Sequence, residues 1–266
     1  MMLGFPTNTI AAIVVAMIGT STGVWFNLAA GLRQLAVAPR VEQHWRWGVA
    51  AIISTWLLVV LTVAWVAPGK SVVGAPYIAT FLTLGLLVGT LPLLISPAFR
   101  QLVRAIPASG LIGVHVIRVL GILFLALLDM RLLPAEFALP AGYGDIAVGL
   151  LSLGIVYLLA KRKPYATALA TLWNALGLLD FVSALASGIA FIGPFAAQLA
   201  AHGTSPLYLN YVLIVPAFGV PLYALLHIYS LFQLLSARAG KPTPGLDMPG
   251  SASILTPELP AMQPLG

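Results

Sequence analysis

The 266-residue chain contains no cysteine. Disulfides, thiolate metal sites and cysteine nucleophiles are excluded with it. Charge is almost as scarce, with 8% Asp, Glu, Lys and Arg against about 25% in an average soluble domain. So few charges cannot cover a water-facing surface for a chain of this size. No segment alternates with the period of two that marks a barrel strand. The opening residues MMLGFPTNTIAAIVV carry no basic n-region, so the expectation is that no signal peptide is cleaved and the first span stays as an anchor. Neither is there an internal repeat to support an inverted-repeat transporter.

What the chain has is apolar length. It is 60% hydrophobic, with a mean hydropathy of +1.01. Runs near the roughly 20 residues needed to cross a bilayer recur throughout. In an apolar solvent a helix satisfies its own backbone hydrogen bonds, so the expected fold is all-α, a polytopic transmembrane bundle of seven spans. The expected spans are Thr9–Leu32, Trp47–Ala67, Pro76–Ile95, Leu111–Met130, Tyr143–Ala160, Ala166–Ala190 and Leu207–Leu235. Residues 1–238 would form this domain. Residues 239–266, rich in proline, would form a disordered cytoplasmic tail able to recruit a partner.

The net charge of +6 does not imply nucleic acid, because the basic residues sit in short groups beside apolar spans. Arg33, Arg40, Arg46, Arg100, Arg104, Lys161, Arg162, Lys163, Arg238 and Lys241 fall on one side of the expected topology. Lys70 and Arg131 fall on the other, and Arg118 lies within a span. The positive-inside rule then places the N-terminus outside and the C-terminus in the cytoplasm. The expected location is the cell membrane. Lipid is the first partner, and a membrane-protein partner or a second copy of the chain is a further one. SPAFRQLVRAIP reads as a short interfacial helix, with Phe99, Leu102 and Val103 on one side and Arg100 and Arg104 on another.

Ionisable groups within spans usually face the protein interior or a water-filled cavity. They are His115, Arg118 and Asp129 in span 4, Asp145 opening span 5, Asp180 in span 6 and His227 in span 7. The expected topology puts the aspartates, with Glu136, toward the outer end and the basic groups toward the inner end. Arg118 and Asp129 share a face, but eleven residues of helix are about 16 Å, too far for direct pairing. In span 6, Ala166, Ala170, Trp173, Gly177, Asp180, Ala184 and Ser187 recur in steps of four and three and share one face. That small-residue seam invites a close neighbour, as do Gly19 and Gly23 in span 1. Pro216 and Pro221 are expected to bend span 7, below which Tyr223, His227 and Ser230 share a face.

These residues admit several functional readings. In the first, Arg118, Asp129, Asp145, Asn174, Asp180 and Asn210 line a polar seam that handles a proton, an ion or a small polar solute, without enzymatic chemistry. In the second, the same residues fix helix packing in a structural or sensory partner of other membrane proteins. A third places haem b between His115 and His227; otherwise no cofactor or metal is expected. Within LPAGYGDIAVG, LPAGYG reads as an outer turn and Asp145 as a first-turn carboxylate that meets unpaired backbone N–H groups.

The tetrad Gly142-Tyr143-Gly144-Asp145 resembles the GxGD of presenilin-like and prepilin-peptidase-like intramembrane proteases. That resemblance implies Asp145 and Asp180 as a proton-sharing pair, although the chain has no Tyr-Asp pair ahead of the tetrad. Arg118, Gly121, Phe124, Leu125, Leu133-Pro134, Phe137-Ala138, PAGYGD and Gly149, with Asn174, Gly177 and Asp180, also resemble a pattern in uncharacterised bacterial multi-pass membrane proteins. It covers roughly residues 115–185 and implies a bacterial membrane location but no activity.

Overall fold

A computed structural model describes residues 5–66, 75–201 and 212–238. All regular structure among these residues is helical. In chain order the helices are α1 (Phe5–Gln34), α2 (Pro39–Val66), α3 (Ala75–Ile95), α4 (Pro97–Ala105) and α5 (Ala108–Gly113). A 3₁₀ stretch (Val114–Gly121) leads into α6 (Ile122–Asp129), followed by α7 (Ala135–Ala160) and α8 (Ala166–Ala201). A π-helical turn (Val215–Gly219) then opens onto α9 (Val220–Arg238). Counting α5 to α6 as one span and the π turn with α9 as another, seven helices among the described residues are long and apolar enough to cross a membrane. Lys70, His202, Asn210 and the tail from 239 onward lie outside the described residues.

Three expected boundaries move. Span 2 begins at Pro39, so Arg40 and Arg46 belong to a helix and not to a loop. Pro39 at the first helical position and the Glu42–Arg46 ion pair, 3.1 Å and four residues apart, explain why. Hydropathy registers only the apolar part of such a helix. Span 6 runs on to Ala201, past Pro194. The third change bears on the site: α7 starts at Ala135 with Pro134 as its cap. LPAGYGD is therefore inside the helix, and Asp145 lies about three turns from its start. The expected outer turn with a capping Asp145 is corrected accordingly.

Span 7 is the central post and the most deeply buried of the seven long helices, while spans 2 and 3 are the least buried. Outward faces are apolar: Leu58, Leu94, Leu151, Leu179 and Val182 are all exposed. A surface of that kind suits lipid. Pro216 lies within the π turn and Pro221 just after it, where the missing N–H groups interrupt the regular ladder.

Small residues set the closest approaches. A Cβ on Gly23 of α1 would sit 2.9 Å from the Val114 side chain, and one on Gly85 of α3 would sit 2.8 Å from Pro221. Thr20 of α1 and the Tyr223 hydroxyl of α9 hydrogen-bond at 2.6 Å, both buried. At the far end Ser96 caps α4 by accepting from the Phe99 N–H. Leu102 and Val103 turn inward, and Gln233 of α9 donates to the carbonyls of Val103 and Ile106.

Candidate functional site

The site begins with the 3₁₀ stretch. Eight residues is long for this conformation, which rarely exceeds three or four and brings side chains at i and i+3 into line. His115, Arg118 and Gly121 thereby stack in one row, and all three are buried. Gly121 meets α7 at the GYGD tetrad. A Cβ on Gly121 would lie 2.5 Å from the Asp145 Cβ and 2.9 Å from the Gly142 carbonyl. A Cβ on Gly144 would strike the Asp180 carboxylate arriving from α8. The two glycines let three segments converge, and Asp145 points into the place where they meet.

Arg118 occupies that place. Its Nε donates to Asp145 Oδ1 at 2.7 Å, and Nη2 donates to Asp180 Oδ2. Nη1 lies 3.3 Å from His227 Nε2. The guanidinium carbon stands 4.0 Å from the Phe181 ring centroid, a cation–π contact. The arginine side chain is 1% exposed, while Asp145 and Asp180 retain 19% and 15%.

Donor and acceptor chemistry fixes the direction of the remaining bonds. Arginine only donates, so His227 Nε2 accepts and its Nδ1 carries the hydrogen. Nδ1 donates to Asn174 Oδ1 at 2.9 Å. Asn174 Nδ2 donates to Ser230 Oγ at 3.0 Å and to the Ala170 carbonyl at 2.8 Å. One connected network thus runs from two carboxylates through Arg118, His227 and Asn174 to Ser230. Trp173 borders it, donating from Nε1 to the Val148 carbonyl at 3.1 Å. With His227 neutral, one guanidinium stands against two carboxyl groups amid apolar packing. Asp145 Oδ2 and Asp180 Oδ1 accept no hydrogen bond among the described residues.

His115 has no exposed surface and, among the described residues, no hydrogen-bond partner for either ring nitrogen. It packs on His227 with ring centroids 4.0 Å apart, and edge-on to Trp173 at 5.0 Å. Haem b does not fit between these imidazoles. Centroids at 4.0 Å are already in van der Waals contact, leaving no room for a porphyrin plane, and both His227 nitrogens are engaged. The carboxylates are not arranged as a proton-sharing dyad either, because the Arg118 cation binds both.

The structure gathers Arg118, Asp145, Asn174, Asp180 and His227, with His115 against them. It leaves out Asp129, which is exposed at the end of α6, and Asn210 lies outside the described residues. Acidic and basic groups within the spans are not segregated to opposite ends, since Arg118 binds Asp145 and Asp180 directly. The seam on α8 faces inward: Ala166, Ala170, Trp173 and Gly177 are buried. Gly177 is where the His227 ring rests.

A cavity of about 140 Å³ reaches this cluster. Arg118, Asp145, Phe181 and Tyr223 close one end of it. Thr9, Pro134 and Phe191, from the start of α1, the entry to α7 and the later part of α8, mark the other.

A family model described as Domain of unknown function (DUF8737) matches residues 75–235, more than half of the chain. The chain belongs to that family. The matched DUF8737 segment contains every residue of the network from His115 to Ser230. Helix α1, which supplies Thr20 and one wall of the cavity, lies before it. No curated protein and no solved structure matches the chain.

Proposed function

We propose that this DUF8737 protein is a multi-pass membrane protein that takes up and passes on a proton or another small ion at the Arg118–Asp145–Asp180 cluster. One observation carries the reading: the cluster holds one more carboxylate than cation, deep in an apolar bundle. Burying an unbalanced charge is expensive, and a site of this kind is eased by a proton or a cation that can come and go. A cluster meant only for packing is better served by a neutral pair. The connected donors and acceptors beyond Arg118 offer such an ion a polar continuation toward Ser230. The distribution of lysine and arginine supports a cell-membrane location with the N-terminus outside. The reading requires no enzymatic step.

The test is flux in proteoliposomes carrying the full chain, with a pH-sensitive dye inside and an imposed gradient of protons, Na⁺ or K⁺. Wild type is expected to dissipate one of these gradients and Asp180→Asn to abolish the flux. Unchanged flux in Asp180→Asn removes the cluster from the pathway, and no flux in wild type removes the proposal. A structural partner protein is the second reading. It is favoured by a separate apolar groove of about 350 Å³ bordered by Trp45, Trp56, Pro92 and Tyr229, wide enough for side chains of a neighbouring helix. That reading expects no flux and stoichiometric co-purification with a membrane protein.

A further inference from the structure

The cavity that reaches the cluster has the wrong walls for a small polar solute. Among the described residues that line it, the only charged ones are Arg118 and Asp145, at one end. Phe124, Phe137, Phe181 and Leu185 represent the rest, which is almost entirely aliphatic and aromatic. Ligand sites with apolar walls and a few polar groups at a fixed place select amphiphiles, whose body fills the cavity and whose head meets the polar group.

Size and charge narrow the class. At about 140 Å³ the space matches the roughly 150 Å³ cavity that accommodates benzene elsewhere, so the body is one ring or a short alkyl chain. The polar end carries an excess negative charge. Asp145 Oδ1 is held by Arg118, while Oδ2 has no partner among the described residues and the side chain retains 19% exposure. An acceptor that lacks a donor selects a donor. An anionic head would meet the Asp145 carboxylate, with the only lining cation already engaged.

We infer that the cavity between α1, α6, α7 and α8 is a binding site for a small lipophilic amine, its ammonium donating to Asp145. This rests on reading the Arg118 cluster as a site and not as packing, and it names the chemical class that the site takes. The amine needs no electron transfer and no bond change. Its positive charge balances the carboxyl group that outnumbers the cation.

The test uses three ligands of one shape on the purified full-length protein: benzylamine, benzyl alcohol and benzoate, followed by calorimetry and thermal shift at pH 7. Wild type is expected to bind benzylamine about tenfold more tightly than benzyl alcohol, as a charge-assisted hydrogen bond requires, and benzoate more weakly than either. Asp145→Asn is expected to bring amine and alcohol to equal affinity. Ala184→Phe, which places a ring into the cavity wall, is expected to abolish binding of both and does not depend on how Asp145→Asn folds. Equal affinities in wild type, an amine preference that survives in Asp145→Asn, or unchanged binding in Ala184→Phe each overturn the inference. Amine preference without ion flux leaves this site standing and removes the transport proposal. Flux lost in Asp180→Asn without amine preference does the reverse.

Discussion

Adding a single methyl group at Gly177 tests whether His227 is fixed as described. A Cβ there would fall closer to His227 Cε1 and Nε2 than any real contact allows, and 3.2 Å from Nδ1. The imidazole has no exposed surface and cannot swing away. Either α8 withdraws from α9, or the ring tilts and loosens its bonds to Asn174 at 2.9 Å and Arg118 at 3.3 Å. Overpacking of this kind costs about 2 kcal/mol, and a weakened hydrogen bond adds about 1. Replacing a mid-helix glycine by alanine returns about 1 kcal/mol, so Gly177→Ala is expected to destabilise by about 2 kcal/mol. For a domain of this size that lowers Tm by about 4–8 °C. The assay is thermal unfolding of purified protein, with Gly154→Ala beside it. Gly154 is also mid-helix, but a Cβ there meets nothing within 4 Å, so only the propensity gain remains and Tm is expected to rise. If Gly177→Ala melts at or above wild type, the packing of His227 on α8 is wrong.

Other expectations follow from individual bonds. Thr20→Val keeps the shape but leaves the buried Tyr223 hydroxyl without its 2.6 Å partner; it is expected to cost about 1–3 kcal/mol, with Thr20→Ser close to wild type in the same melt. Asn174→Leu strips His227 Nδ1 and Ser230 of their shared partner and is expected to lower stability by about 1–3 kcal/mol. A Tm equal to wild type in that variant would mean His227 is oriented by something else. Ser96→Ala removes the side-chain cap of α4 and is expected to cost about 1 kcal/mol, read as a lower Tm.

The seven long apolar helices were legible because their apolar length leaves few alternatives, and the inward face of α8 followed from its spacing of small residues. Asp145 was misplaced for a physical reason. Pro140 and two glycines look like a turn, yet α7 absorbs all three. Pro140 is exposed within α7, where its ring can turn outward. Gly142 and Gly144 answer to tertiary contacts with the 3₁₀ stretch and Asp180. The same close approach explains why the acidic and basic groups meet, since topology gives depth but not which groups converge. The 3₁₀ conformation of Val114–Gly121 has no sign in the residues themselves. Under an α-helical reading His115 and Gly121 fall about 120° apart around the axis, and the tighter winding brings both into one row with Arg118. The role of Phe181, whose ring lies under Arg118, was likewise invisible: it is one apolar residue among many on α8.

The account turns on Arg118 standing between two carboxylates, and thermal unfolding of Arg118→Gln alone and with Asp180→Asn tests it most directly. Arg118→Gln leaves two partly buried carboxylates with no cation and is expected to cost about 3–5 kcal/mol. Adding Asp180→Asn removes one of those charges, so the double variant is expected to melt above the Arg118→Gln single. A double variant that melts below the single, with both effects simply adding, would contradict the cluster.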